Sequence, residues 1–328
     1  MTKLRVAING FGRIGRAFYK LSYEREDMEV VAVNDLGDEA NLLYLLKYDS
    51  AYGRWEGKFS AKFIQEREMA KLPWKDLNID VVVECTGLFT DFALAQGHIS
   101  AGAKRVVISA PGKGDENMGA TVLMGINEDK LKTCQVSSNG SCTTNAASPV
   151  VAIIDEALDI EKALLDTIHS YTASQSLVDG PKKDWRDGRA AAHNIVPSST
   201  GAATSVTKAV TGVPFFDGIS VRVPTIVGSY ADLTFVTKKN TNKEEVNDIL
   251  TKAVALPRWE GIFKVSAEPL VSSDIIGDTY ASIADLEMTR VVGGNLIKVL
   301  AWYDNEMGYT NTLVRHVAKI GQYINSPI

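Results

Sequence analysis

Short β-rich runs alternate with helical stretches along the first third of the chain. Leu4 to Ile8 is the first apolar run and Glu29 to Val33 the second; Val81 to Val83 and Val106 to Ile108 follow at intervals that leave room for crossover segments. That alternation predicts βαβ units and a parallel sheet. The stretch Asn139-Gly-Ser-Cys-Thr-Thr-Asn145 then interrupts the pattern, and a helical stretch continues through Leu158. Past Ile160 the texture changes. Longer β-rich segments, Gly218 to Pro224, Ala231 to Thr237 and Leu296 to Trp302, are separated by fewer helices, which predicts a second domain on a mostly antiparallel or mixed sheet. The segment Asn311 to Ile324 regains helical spacing at Leu313, Val317, Ile320 and Tyr323, and is expected to pack back on the first domain.

Composition narrows the class. A chain of 328 residues, 45% hydrophobic and 23% charged, is a soluble globular protein with room for two domains. A net charge of -5 leaves no electrostatic footprint for nucleic acid. No apolar run approaches the roughly 20 residues needed to span a bilayer, so no membrane partner is expected. The start Met-Thr-Lys-Leu-Arg-Val passes straight into a strand without a signal pattern, and three cysteines do not suggest a disulfide framework. A reducing cytoplasm is the expected location.

Gly10-Phe-Gly12-Arg-Ile-Gly15 is a GxGxxG loop placed after a β-rich run and before a helical one. Glycine allows a tight turn and lets backbone N–H groups approach a pyrophosphate, whose charge a helix N-terminus favours. The next strand ends in Asn34-Asp35, where a carboxylate can bind both hydroxyls of an adenosine ribose and repel a 2′-phosphate. The pair therefore points to NAD rather than NADP; the plainer alternative is a glycine-rich turn with a surface aspartate.

Cys142 stands in a polar loop at the entrance of a helical stretch, where the helix N-terminus is expected to lower its pKa. It is a candidate nucleophile and equally a small buried cysteine. Cys85, beside the run Val81-Val-Val-Glu, reads as structural, and Cys134 is assigned no role. His169 closes the run Ala163 to Ile168 and can project from a strand end into a cleft as a general base. His193 competes for that role, whereas His98 and His316 read as surface or packing residues.

Three longer motifs carry a resemblance. Asn9-Gly-Phe-Gly-Arg-Ile-Gly-Arg16, Ser138-Asn-Gly-Ser-Cys-Thr-Thr-Asn145 and Trp302-Tyr-Asp-Asn-Glu-Met-Gly-Tyr309 are similar to signatures of phosphorylating glyceraldehyde-3-phosphate dehydrogenases. Lys47-Tyr-Asp-Ser50, Glu84-Cys-Thr-Gly87, Tyr171-Thr172, Pro197-Ser-Ser-Thr-Gly-Ala-Ala203 and Arg222-Val-Pro-Thr225 fall between them in the family's order, so the resemblance spans nearly the whole chain.

The resemblance implies an α/β fold. A Rossmann-type parallel-sheet domain, residues 1–141, would be completed by a C-terminal helix within 305–328. An α+β catalytic and oligomerisation domain with a mostly antiparallel or mixed sheet would cover 142–304. Cys142 would be the nucleophile and His169 its base. Gly10, Phe11, Gly12, Arg13, Ile14, Asp35, Arg67, Ser109 and Asn305 would hold NAD. Thr172 and Arg222, with Arg189 a weaker candidate, would take the substrate phosphate; Ser141, Thr143, Thr200 and Gly201 would take inorganic phosphate. The implied assembly is a homotetramer, and no metal is implied.

Several positions depart from the family's common pattern. Ala146 stands where a second cysteine is frequent, Thr204 replaces a frequent lysine, Gly140 stands where alanine is common, and Ile226-Val-Gly-Ser229 replaces a usual Pro-Asn-Val-Ser. The competing readings are an erythrose-4-phosphate dehydrogenase, an NADP-preferring biosynthetic form, and a non-catalytic NAD-binding scaffold. The intact Thr-Gly-Ala-Ala loop, Asp35 together with Gly180-Pro181, and the presence of both Cys142 and His169 weigh against them in that order.

Overall fold

The computed structural model describes residues 3–325. Positions 1 and 2 of the first expected domain, and the last three of the stretch 305–328, lie outside the described residues. The chain divides into two units. One runs to Ser141 and is regained from Thr310 on; the other spans Cys142–Tyr309.

The first unit contains β1 (Leu4–Asn9), α1 (Arg13–Ser22), β2 (Met28–Asn34), α2 (Glu39–Lys47), the short β3 (Tyr48–Asp49) and β4 (Gly53–Arg54), β5 (Lys62–Ile64), β6 (Val81–Glu84), α3 (Phe92–Ser100), β7 (Arg105–Ile108), β8 (Ala120–Thr121) and β9 (Val136–Ser138). Its main sheet has the order β5-β2-β1-β6-β7-β9-β8, parallel throughout. β6 and β7 are buried at every position, as strands covered on both faces must be. Ala7, Ala32, Trp74, Ile79 and Val82 form one core cluster; Phe92, Ala95, Val106, Ile108 and Val136 form another.

The second unit contains α4 (Cys142–Leu158), β10 (Ile160–Ser170), β11 (Val196–Ser199), α5 (Ala202–Ala209), β12 (Phe216–Val223), β13 (Ser229–Thr237), α6 (Lys243–Val254), β14 (Phe263–Ser266), β15 (Ser282–Val292) and β16 (Leu296–Tyr303). Its sheet has the order β11-β12-β10-β13-β16-β15-β14. Pairing is mixed: β10 runs parallel to β12, and β14 to β15, while the other neighbours are antiparallel. β13 alternates buried and half-buried residues along its whole length, as a strand with one face covered should. α4, buried along most of its length, packs on β13, β15 and β16.

Helix α7 (Met307–Gly321) ends the described fold, and from Thr310 it belongs to the first unit. Polar contacts fix it there. Asn139 Nδ2 donates to Thr312 Oγ1 at 3.0 Å, and the His316 ring lies 2.9 Å from Ser137 Oγ and 3.1 Å from Asn139 Oδ1. The helix stops at Gly321, short of the expected Ile324, and a turn follows it.

Candidate active site

A cleft of about 400 Å³ opens at the carboxyl ends of the first unit's strands, lined among others by Gly10, Gly12, Asp35, Arg67, Thr86 and Leu88. Open α/β sheets bind ligands at that edge. Gly10 has φ +96, and a Cβ there would come within 2.7 Å of the Thr86 backbone nitrogen. A Cβ on Gly15 would lie 2.2 Å from the Gly10 carbonyl oxygen, so α1 can approach β1 only with glycine there. Over Gly12 the space is open: a Cβ would meet nothing within 4 Å. No side-chain hydrogen bond caps the start of α1.

Asp35 is doubly engaged. Its Oδ2 accepts the Phe11 N–H at 2.6 Å and its Oδ1 accepts the Gly37 N–H at 2.8 Å. Arg13 pairs with Asp49 at 3.1 Å, Ile14 is half-buried at the start of α1, and the Ser109 N–H donates to the Glu84 carbonyl at 2.9 Å. Fit to a dinucleotide is therefore good: a glycine cradle with open space above it, an uncapped helix end, and a carboxylate at the cleft wall.

In the second unit, Cys142 is the first residue of α4 and His169 stands near the end of β10. Cys142 Sγ lies 3.3 Å from His169 Nε2. His169 and Arg222 are direct register partners on β10 and β12, which brings Arg222 Nη1 to 2.6 Å from His169 Nδ1. The same Nδ1 is 2.7 Å from the Ser170 carbonyl oxygen. Beneath the pair, the buried Tyr303 hydroxyl is 2.9 Å from Thr143 Oγ1 and 2.8 Å from Thr167 Oγ1. Sequence reasoning missed Tyr303; its place in the Trp-Tyr-Asp-Asn run was the available signal.

Burial, then the Arg222 charge, pushes His169 down to about 3, so the imidazole is neutral at ordinary pH. Cys142 departs from the expectation. It stays partly accessible, yet desolvation of its sulfur pushes the thiol up, against the lowering pull of Arg222 and Thr143. Burial outweighs the helix N-terminus here, and the resting pair is a neutral thiol beside a neutral base.

The remaining candidates are placed as follows. Asn305 Oδ1 accepts from Ser170 Oγ at 2.9 Å and from the Gly228 N–H at 3.2 Å. Thr172 Oγ1 is 2.8 Å from Ser174 Oγ. Thr200 Oγ1 accepts the Ala202 N–H at 3.1 Å at the start of α5, with Gly201 as its N-cap. Ser141 directly precedes Cys142. Arg189 is engaged in an exposed pair with Asp179 at 2.9 Å. His193 is exposed, whereas His98 and His316 are fully buried.

Comparison with known proteins decides the family. Residues 4–92 match the glyceraldehyde 3-phosphate dehydrogenase NAD binding domain, and residues 141–305 match the glyceraldehyde 3-phosphate dehydrogenase C-terminal domain. A glyceraldehyde-3-phosphate dehydrogenase of Thermotoga maritima is 47% identical, over 94% of this chain and 97% of its own. One from Mycobacterium avium is 46% identical, over 97% of this chain and 99% of its own. The chain belongs to the glyceraldehyde-3-phosphate dehydrogenase family. Membership gives the parallel-sheet unit its cofactor, NAD, and makes the chain an NAD-dependent oxidoreductase. Among the described residues, no helix is long and apolar enough to cross a membrane.

Proposed function

We propose that this protein oxidises D-glyceraldehyde 3-phosphate with NAD and inorganic phosphate to 1,3-bisphosphoglycerate through a thioester on Cys142. The observation that carries the reading is the 3.3 Å approach of Cys142 Sγ to a neutral His169 Nε2. His169 takes the thiol proton as sulfur adds to the aldehyde carbon, forming a hemithioacetal. NAD, when bound, supplies the hydride acceptor. Oxidation of the adduct, with its hydroxyl proton passing to His169, leaves a thioester on Cys142. A phosphate oxygen then attacks the acyl carbon, the C–S bond breaks, and the sulfur leaves as thiolate to recover a proton.

Arg222 and Thr172 are assigned to the substrate phosphate, since a guanidinium can grip it with two charged hydrogen bonds. Arg189 is a weaker candidate because Asp179 already holds it. Thr200 and Gly201, at the start of α5, with Ser141 and Thr143, are assigned to inorganic phosphate. Gly10, Phe11, Gly12, Arg13, Ile14, Asp35, Arg67 and Ser109 are assigned to the cofactor; Asn305, its Oδ1 held by protein donors, is assigned to the nicotinamide amide. A cytoplasmic homotetramer is the proposed working form. NADH formation that requires the aldehyde, NAD and phosphate together tests the reading. Faster turnover of erythrose 4-phosphate than of the triose would overturn the substrate assignment.

A further inference from the structure

Glu84, at the end of β6, is a carboxylate with almost no contact with water. Its Oε2 accepts from Asn9 Nδ2 at 2.6 Å and lies 3.0 Å from His98 Nε2. Its Oε1 accepts the Thr86 N–H at 2.8 Å and the Thr86 hydroxyl. The direction of each bond can be assigned. The Trp74 indole N–H donates to His98 Nδ1 at 3.0 Å, so the ring proton sits on Nε2 and points at the carboxylate. Thr86 Oγ1 accepts the Leu88 N–H at 3.0 Å, which leaves its own proton for Glu84. All four partners are donors, two to each carboxylate oxygen.

The network continues sideways. Asn9 Oδ1 accepts from Asn34 Nδ2 at 2.7 Å; Asn34 in turn binds the Glu66 backbone, its Oδ1 accepting the N–H at 2.9 Å and its Nδ2 donating to the carbonyl at 3.0 Å. The chain of bonds crosses the carboxyl ends of β6, β1 and β2 and reaches the segment after β5, in sheet order. Asn9, Asn34, Glu66 and Thr86 all line the cleft, and each adjoins a residue that does too: Gly10, Asp35, Arg67 and Cys85.

We propose that Glu84 is a positioning residue for the dinucleotide, a buried carboxyl group whose hydrogen bonds set the spacing of the backbone segments walling the adenosine end of the cleft. The inference rests on the reading of that cleft as the NAD site. Glu84→Gln is the test, because an amide keeps the shape but cannot accept from both pairs of donors. Its nitrogen must face either Asn9 and His98 or Thr86. The expected result is a calorimetric NAD dissociation constant raised about tenfold or more, with KM for NAD rising and kcat within about twofold. Cys142 alkylation by iodoacetamide without NAD is expected to keep its rate. An unchanged NAD constant, or a parallel loss of kcat and alkylation rate, overturns the proposal. If Glu84→Gln does not yield folded protein, His98→Phe removes one donor without lining the cleft. A rise of about threefold is then expected, and no rise overturns the proposal. Failure of the parent protein to bind NAD would instead overturn the cofactor reading.

Discussion

Arg222 and the Ser170 carbonyl compete for one nitrogen of His169. His169 Nδ1 lies 2.6 Å from Arg222 Nη1 and 2.7 Å from the Ser170 carbonyl, and it cannot accept from one and donate to the other at once. Donation to Ser170 leaves a lone pair on Nε2 facing the Cys142 thiol, the tautomer a base needs. Acceptance from Arg222 puts the ring proton on Nε2 instead. A substrate phosphate that draws Arg222 away therefore favours the base form.

Arg222→Ala is expected to raise KM for the sugar phosphate and to lower kcat by misplacing the aldehyde, with NAD affinity unchanged. The pH profile offers a second readout. The Arg222 charge helps hold His169 low, so its removal raises the histidine and moves the acid limb of kcat/KM to higher pH. An acid limb that stays in place would argue against the coupling.

Cys142→Ser is expected to abolish oxidation and leave NAD binding nearly intact, because the glycine cradle belongs to a different unit from the nucleophile. Substantial NADH production by the purified variant would remove the thioester route.

Two effects are expected from the removal of Asp35. Asp35→Ala is expected to raise the NADP to NAD ratio of kcat/KM by relieving repulsion of a 2′-phosphate. It is also expected to weaken NAD binding itself, because the Phe11 and Gly37 N–H groups lose their acceptor. An unchanged ratio would mean that Asp35 does not face the ribose.

His316 makes an acid-stability prediction. Burial holds it down to about 3, against an ordinary value of 6.5. The unfolded chain then binds a proton that the folded one refuses, so stability falls as pH drops from 6.5 towards 3. The loss is about 1.4 kcal/mol per pH unit for this group. Urea unfolding at fixed protein concentration should show a shallower acid loss in His316→Gln than in the parent. Equal slopes would place the histidine's proton elsewhere.

The segment before β11 exposes Leu177, Val178, Trp185 and Ile195, with Trp185 88% open. Exposed apolar side chains of this kind are what a subunit contact would cover. Light scattering is expected to give four times the 35.6 kDa chain mass, and a value near 35.6 kDa would rule the tetramer out.

Much of this was legible in the sequence because it rests on local rules. Gly10 and Gly15 announced a tight turn and a close helix, and the runs at Glu29 and Ala231 became β2 and β13 with ends shifted by a few residues. β15 was not legible: its register slips between Asp285 and Arg290, so the charged interruption hides the strand. Cys142 stands out in its motif and His169 at the close of an apolar run, but the direction of the thiol's shift depends on how deeply the fold buries the sulfur. His98 is a similar case. Its buried seat is made by Trp74 and Glu84, which come from other elements, and no local pattern around residue 98 shows them.

Helix α7 has a consequence for how the protein is made. Ser137 and Asn139 meet their partners on α7 only when residues 173 to 179 positions later have been synthesised. A nascent chain that has not yet passed His316 holds the strands of the parallel sheet while Ser137 and Asn139 lack these side-chain bonds to α7. The unit begun first thus finishes last, and a chain stalled before Thr310 offers chaperones and proteases an open flank for as long as the pause lasts.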